Sequence, residues 1–201
     1  ALNDASNKSL VLHFGMTGGL QYYMHDEDEP EYPQALFRFT NGYQLAYFSM
    51  RKLGELEVIN SVSDFIKEKD LGPDALEITL EDFKKVVEGR HVMAKSFLMD
   101  QETLAGIGNV YSDEILFQAG IHPRTKISAL DTDDLEKLYQ TMKDVLESAI
   151  EHQAEPDQFP DGYLIPHWHE GGHCPECGAA LVRVQVGGRH AYICSNRQAE
   201  L

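Results

Sequence analysis

The spacing of apolar positions changes twice along the chain. Up to about Asn60, short aromatic and branched runs are broken by polar turns: Leu10-Val-Leu-His-Phe14, Gln21-Tyr-Tyr-Met24, Ala35-Leu-Phe-Arg-Phe39 and Leu45-Ala-Tyr-Phe-Ser49. Runs of this length and composition predict strands, and Thr40-Asn-Gly42 between the last two is a hairpin signal. Part of an antiparallel sandwich or barrel is expected here. From about Asp64 to Gln153 the period becomes helical. Thr79-Leu-Glu-Asp82 offers a capping hydroxyl with a carboxylate three residues on, ahead of Phe83, Val86 and Val87 on one face. Leu135, Leu138, Tyr139, Met142, Val145, Leu146, Ala149 and Ile150 keep the i, i+3, i+4, i+7 spacing of a long helix, with Asp131 to Asp134 at its start. Between them runs Val110 to Ala119, stopped by Gly120 and Pro123. His152 to His173 is rich in Pro, His and Gly and reads as a linker or loop. It leads into a predicted hairpin, Leu181–Val186 and Arg189–Ile193, turned at Gly187-Gly188.

The pattern predicts a multi-domain α+β protein in three segments: residues 1–60 (strands), 61–153 (helices) and 154–201 (loop plus cysteine-containing hairpin). Of the 201 residues 42% are apolar and 25% charged, which excludes a disordered or collagen-like chain. No apolar run approaches the roughly 18–20 residues of a membrane span. The stretch Ala1-Leu-Asn-Asp-Ala-Ser-Asn-Lys8 lacks the basic-then-apolar order of a signal peptide, so a soluble, intracellular protein is expected.

Charge changes the picture. Thirty-three acidic against 17 basic residues give −16, which opposes general nucleic-acid binding, because that rests on lysine and arginine displacing counterions. The distribution is uneven. His25-Asp-Glu-Asp-Glu-Pro-Glu31 concentrates carboxylates, a solvated acidic face, whereas the tail from Cys174 carries Arg183, Arg189 and Arg197. A basic footprint can persist locally.

Two constellations carry chemistry. Cys174, Cys177 and Cys194 cluster near the end of the chain, and Cys174-Pro-Glu-Cys177-Gly178 has the knuckle form of a zinc ribbon. A full ribbon would read C-x2-C-x16-C-x2-C, but position 197 is arginine. Zinc is expected on three cysteines, with His169, His173, His190 or a water as candidate fourth donors; a metal-free hairpin and a disulfide are the alternatives. Gly106-Ile-Gly108-Asn109 ahead of a helix suits close approach of a phosphate to free amides, and equally suits a glycine turn between packed helices.

Lys95-Ser-Phe-Leu-Met-Asp-Gln101, Leu104-Ala-Gly-Ile-Gly-Asn-Val-Tyr111, Asp113-Glu-Ile-Leu116 and Ala119-Gly-Ile-His-Pro123 resemble the helix–two-turns–helix segment of the formamidopyrimidine-DNA glycosylase/endonuclease VIII family. His13-Phe-Gly-Met-Thr-Gly18 resembles its strand motif, Arg51-Lys-Leu-Gly54 its Arg-Arg-Phe-Gly loop, and Val186-Gly-Gly-Arg189 its zinc-finger hairpin. The resemblance runs collinearly from about Leu10 to Gln198. It implies a partial antiparallel β-sandwich, a helix–two-turns–helix domain and a C-terminal zinc-finger-like hairpin, with damaged double-stranded DNA in the cleft between them. The implied function is base-excision repair by a bifunctional glycosylase and AP lyase acting on oxidised purines, in the cytoplasm at the nucleoid.

By this resemblance Met16, Arg51 and Leu53 fill the gap left by a flipped nucleotide, and Arg90, Lys95, Asn109 and Arg189 contact the DNA backbone. Arg189 also matches the residue of the final elimination step. Leu53 stands where the family has phenylalanine and forgoes stacking worth roughly 1–3 kcal/mol per base. For Met16 and Leu53, ordinary core packing is the competing reading. The family's catalytic start, Pro-Glu-Leu-Pro-Glu, has no counterpart in this sequence. Either the chain is part of a longer glycosylase, or it is a catalytically inactive relative that binds damaged DNA or a protein. In both cases an exposed sheet edge is expected to pair with a second copy or with an amino-terminal segment.

Overall fold

The computed structural model describes residues 8–25 and 29–199. The amino end read for a signal sequence and the centre of the acidic run, residues 26–28, lie outside the described residues. The chain divides into two compact units, Ala1–Lys69 and Asp70–Leu201.

The first unit holds two open antiparallel sheets. Strand β1 (Ser9–His13) pairs with β5 (Glu55–Ile59), and β4 (Tyr43–Ser49) lies between β2 (Gly18–Met24) and β3 (Pro33–Arg38). The β3–β4 hairpin closes where Asn41-Gly42 predicts: Asn41 Oδ1 accepts the Tyr43 amide at 3.1 Å, and Gly42 takes φ +87°. Central β4 supplies the buried Ala46 and Tyr47, with Tyr23 from the neighbouring β2, and Ile59 is buried on β5 of the other sheet. Pro33 opens β3 beside a register shift, as suits an edge strand. A short helix, α1 (Val62–Glu68), follows β5; Ser61 caps it and it buries no side chain.

The second unit is built on helices. Thr79 Oγ1 accepts the Asp82 amide at 3.2 Å to cap α2 (Leu80–Val87), and Asp131 does the same for α5 (Thr132–Glu151) at 2.9 Å. Between them lie α3 (Ala94–Leu98) and α4 (Asn109–Ala119), the latter ended by Gly120 at φ +73°. Phe83 and Phe97 meet edge to face at 5.8 Å inside a core that includes Leu98, Ile107, Leu116, Leu138 and Met142. The cysteine hairpin, β6 (Val182–Val186) and β7 (Arg189–Ile193), belongs to this same unit. A second apolar cluster joins Phe117 of α4 to Leu164, Cys174 and Cys194. Among the described residues no helix is long and apolar enough to cross a membrane.

Candidate nucleic-acid interface and metal centre

In the first unit the turn after β1 folds onto the segment before β5. Gly15 sits at φ +63°, and a Cβ there would lie 2.7 Å from the Leu53 carbonyl oxygen, so a glycine is needed for the two segments to touch. The Arg51 amide donates to Thr17 Oγ1 at 3.1 Å, and Arg51 Nη1 lies 3.4 Å from Met16 Sδ. Met16, Arg51 and Leu53 are thus brought together. Core packing does not describe them: Met16 is 68% exposed and Leu53 51%.

In the second unit a groove of about 260 Å³ opens between α3 and the finger hairpin, lined by Lys95, Ser96, Met99, Asp100, Val186, Gly187 and Arg189. The hairpin turn needs positive φ at both Gly187 and Gly188, and a Cβ on Gly187 would meet Ser96 Oγ at 2.9 Å. That close approach sets the tip against α3. Arg189, next in the chain, is exposed, and its side chain has no hydrogen bond or ion pair among the described residues. Arg90 lies at the same region, its Nη1 3.7 Å from Asp100 Oδ2.

The start of α4 has no side-chain cap. Gln101 bridges the preceding turn, accepting the Gly106 amide at 3.0 Å and donating to the Ile107 carbonyl at 2.9 Å. Gly108 faces open space, so the first amides of α4 can be approached closely.

Lys95 departs from the expected surface contact. It is fully buried, and its ammonium donates to Asp113 Oδ1 at 2.6 Å, Ser112 Oγ at 3.1 Å and the Asn109 carbonyl at 3.2 Å. An ammonium with three acceptors and no exposed surface holds the helix start in place and does not present a free charge. Asp113 Oδ2 also accepts from Trp168 Nε1 at 2.8 Å and the Tyr192 amide at 3.2 Å. Burial pushes the Asp113 carboxyl up and the Lys95 ammonium down, and their mutual attraction opposes both shifts. One carboxylate therefore ties together α3, α4, the irregular segment and the finger. Sequence reasoning missed this role, although Trp168 was the one tryptophan in a stretch without readable pattern.

The three thiols lie within 4.8 Å of one another, with Cys177 Sγ 3.5 Å from Cys194 Sγ, and none forms a disulfide. Such a cluster of soft donors fits one zinc ion. The Ala179 amide and the Asn196 side chain bring the Cys177 thiol down to about 7, while burial pushes Cys194 up to about 11. Among the described residues no histidine or carboxylate joins the cluster, so the histidine candidates for a fourth donor are set aside. Arg197, at the position a fourth ribbon cysteine would take, is ion-paired with Glu176 and lies 4.7 Å from the centroid of the Phe117 ring.

Two open antiparallel sheets, a two-turn segment leading into a helix and a cysteine-knuckle hairpin occur together in this chain, and comparison with known proteins specifies the class they belong to. Residues 1–56 match the family model of the formamidopyrimidine-DNA glycosylase N-terminal domain, residues 71–160 that of its H2TH domain, and residues 171–196 the zinc finger found in FPG and IleRS. The formamidopyrimidine-DNA glycosylase of Pelotomaculum thermopropionicum is 32% identical, over 98% of this chain and 76% of its own length. That of Desulforamulus reducens is 31% identical over the same shares. The Lactococcus lactis Fpg in complex with abasic-site DNA superposes with a TM-score of 0.82 at 23% identity, covering 96% of this chain and 76% of that one. MutM in complex with carbocyclic 8-oxo-G DNA gives 0.82 at 24% identity, covering 98% and 76%. The chain belongs to the formamidopyrimidine-DNA glycosylase family, and its terminal hairpin matches the zinc-finger model, with Cys174, Cys177 and Cys194 close enough together to bind zinc.

Proposed function

We propose that this chain recognises damaged double-stranded DNA in base-excision repair, on the oxidised-purine branch that its family serves. The observation that carries the reading is the groove of the second unit. The finger-tip guanidinium of Arg189 lines it, the Arg90 side chain is ion-paired with its lining residue Asp100, and the uncapped start of α4 with Asn109 lies in the same unit; together they offer cationic and amide donors to a phosphate backbone. Lys95 acts as a positioning residue, holding the Asn109 turn through its buried bonds. Met16, Arg51 and Leu53 form the exposed group suited to fill the space of an extruded nucleotide, which offsets part of the few kcal/mol that unstacking costs. Zinc on the three cysteines would cross-link the knuckle to the end of β7 and so steady the strand that carries Arg189.

Base removal and strand cleavage in this family start from an amino-terminal proline, and Arg189 is read as serving the later elimination step. Recognition and the late-acting arginine are the roles assigned to residues of this chain. Cytoplasmic, nucleoid-associated action follows from the same reading. Leu20, Tyr22 and Met24 on one face of β2 are exposed and suit pairing with an amino-terminal segment or a second copy; sedimentation of the chain alone tests the latter.

The test is fluorescence anisotropy with abasic and intact duplexes over a salt series, joined to borohydride trapping. Salt-dependent preference for the abasic duplex without a covalent adduct is expected. Equal, negligible binding to both duplexes at low salt overturns the reading in favour of a protein-interaction relative. A trapped adduct overturns the assignment of recognition alone.

A further inference from the structure

The finger offers three sulfur donors, and among the described residues no fourth ligand joins them. The residue at the fourth ribbon position cannot substitute, since a guanidinium carries no lone pair for a metal. It is also engaged elsewhere: Arg197 is ion-paired with Glu176, its Nη2 lies 3.5 Å from the Phe117 carbonyl oxygen, and its guanidinium covers the Phe117 ring. The backbone around it is equally committed. The Arg197 amide donates to the Cys194 carbonyl at 3.0 Å, and Gln198 is buried with its side chain between the Cys194 amide and the Ile121 carbonyl. The Asn196 side-chain amide donates to Cys177 Sγ at 3.6 Å and so faces the cluster with its donor end. Cys177 is itself exposed, whereas Cys174 and Cys194 are buried. The cluster therefore has one side open to solvent.

We propose that this finger holds zinc through three thiolates alone and leaves the fourth coordination position open to a donor from solution, for which a low-molecular-weight thiol is the preferred class. A small thiol enters as its thiolate, passing its proton to the solvent and displacing a weaker donor, with no change of oxidation state. Two soft preferences coincide there: zinc favours sulfur, and the exposed Cys177 edge admits a small molecule without moving the buried pair. Arg197 keeps the position open because its ion pair and ring contact hold it on Phe117. The inference rests on the zinc reading above, and its test separates the two.

Cobalt(II) is titrated into the metal-free full chain and into Arg197→Cys, then glutathione is added to each. The wild-type chain is expected to bind one cobalt with thiolate charge-transfer absorption and with weaker, shifted ligand-field bands than R197C. Glutathione should move the wild-type bands toward those of R197C and leave the variant unchanged. Zinc release to a chelator should be faster from the wild-type chain, which has one thiolate donor fewer than R197C. Absence of any charge-transfer band overturns the zinc reading itself. A band that glutathione does not change overturns the open position alone. That thiol arm uses only the wild-type protein, so poor folding of R197C leaves the proposal refutable.

Discussion

The Lys95 ammonium lies 2.6 Å from the Asp113 carboxylate, with each side chain 1% exposed. A buried pair of this kind contributes little net stability against an apolar alternative, yet breaking it is costly because one charge is left without its partner. Asp113→Asn keeps one acceptor oxygen for Trp168 and Tyr192 but leaves the buried ammonium without its counter-charge, so a loss of about 3–5 kcal/mol is expected. Replacing Lys95 with Met in the same chain removes the orphaned charge and should recover part of that loss. Urea unfolding of the two proteins decides the matter, and equal destabilisation would show that the unpaired ammonium does not carry the effect.

Arg189 occupies the tip of a hairpin whose glycines place it against α3. If it meets a phosphate, Arg189→Ala weakens binding of every duplex alike and reduces the slope of log K against log salt by about one. The fold should be untouched, because the side chain is exposed and unpaired among the described residues. Anisotropy across a salt series measures both quantities. Selective loss for abasic DNA, with an unchanged slope, would instead place Arg189 at the lesion.

Much of this architecture was readable where local chemistry is strong. Asn41-Gly42, the Thr79 and Asp131 caps and Gly120 all act within a few residues of themselves, and each appears where its pattern indicates. Strand β5 was not marked, since Glu55 and Glu57 interrupt its apolar positions and most of it is exposed. Helix α1 falls inside the helical zone, but its bounds are not marked by any stripe, because it buries nothing. The site divides the same way. Cys174, Cys177 and Cys194 are recognisable from spacing, whereas the burial of Lys95 depends on Asp113, Ser112 and Trp168 folding around it. A lysine's sequence neighbours say nothing about such partners. Glu114 illustrates the point further, because a carboxylate in an apolar helix gives no sign of being fully buried.

Leu53 is half exposed, and its backbone packs on the Gly15 turn beside Met16, whose sulfur Arg51 approaches. A leucine can occupy the space of an extruded nucleotide but offers no aromatic face to the opposing base. Leu53→Phe should therefore tighten binding to an abasic duplex by about 1–3 kcal/mol, the range of one base–aromatic stack. Binding to an intact duplex should not change. Anisotropy with matched duplexes provides the comparison, and a gain on both would indicate nonspecific apolar contact.

Glu114 gives a pH signature that isolates one buried group. Its Oε2 accepts the Ile165 amide at 2.7 Å and its Oε1 accepts Gln118 Nε2 at 2.8 Å, while burial holds its pKa above the usual carboxylate value. A folded-state pKa above the unfolded one means that the native protein binds the extra proton. The associated stability is fully present below the ordinary carboxylate range and is lost as pH rises through the raised value. Glu114→Gln does not titrate there. At pH 4 the variant should be less stable than the parent by about 1 kcal/mol, the worth of one altered hydrogen bond. The gap should close as pH rises to 7, because only the parent then has to bury an ionised carboxylate. Urea midpoints of both proteins at several pH values measure the difference, in which the titration of Asp113 and of the surface carboxylates largely cancels. A gap that widens with pH would mean that the hydrogen bonds from Ile165 and Gln118 stabilise the ionised form more than burial opposes it.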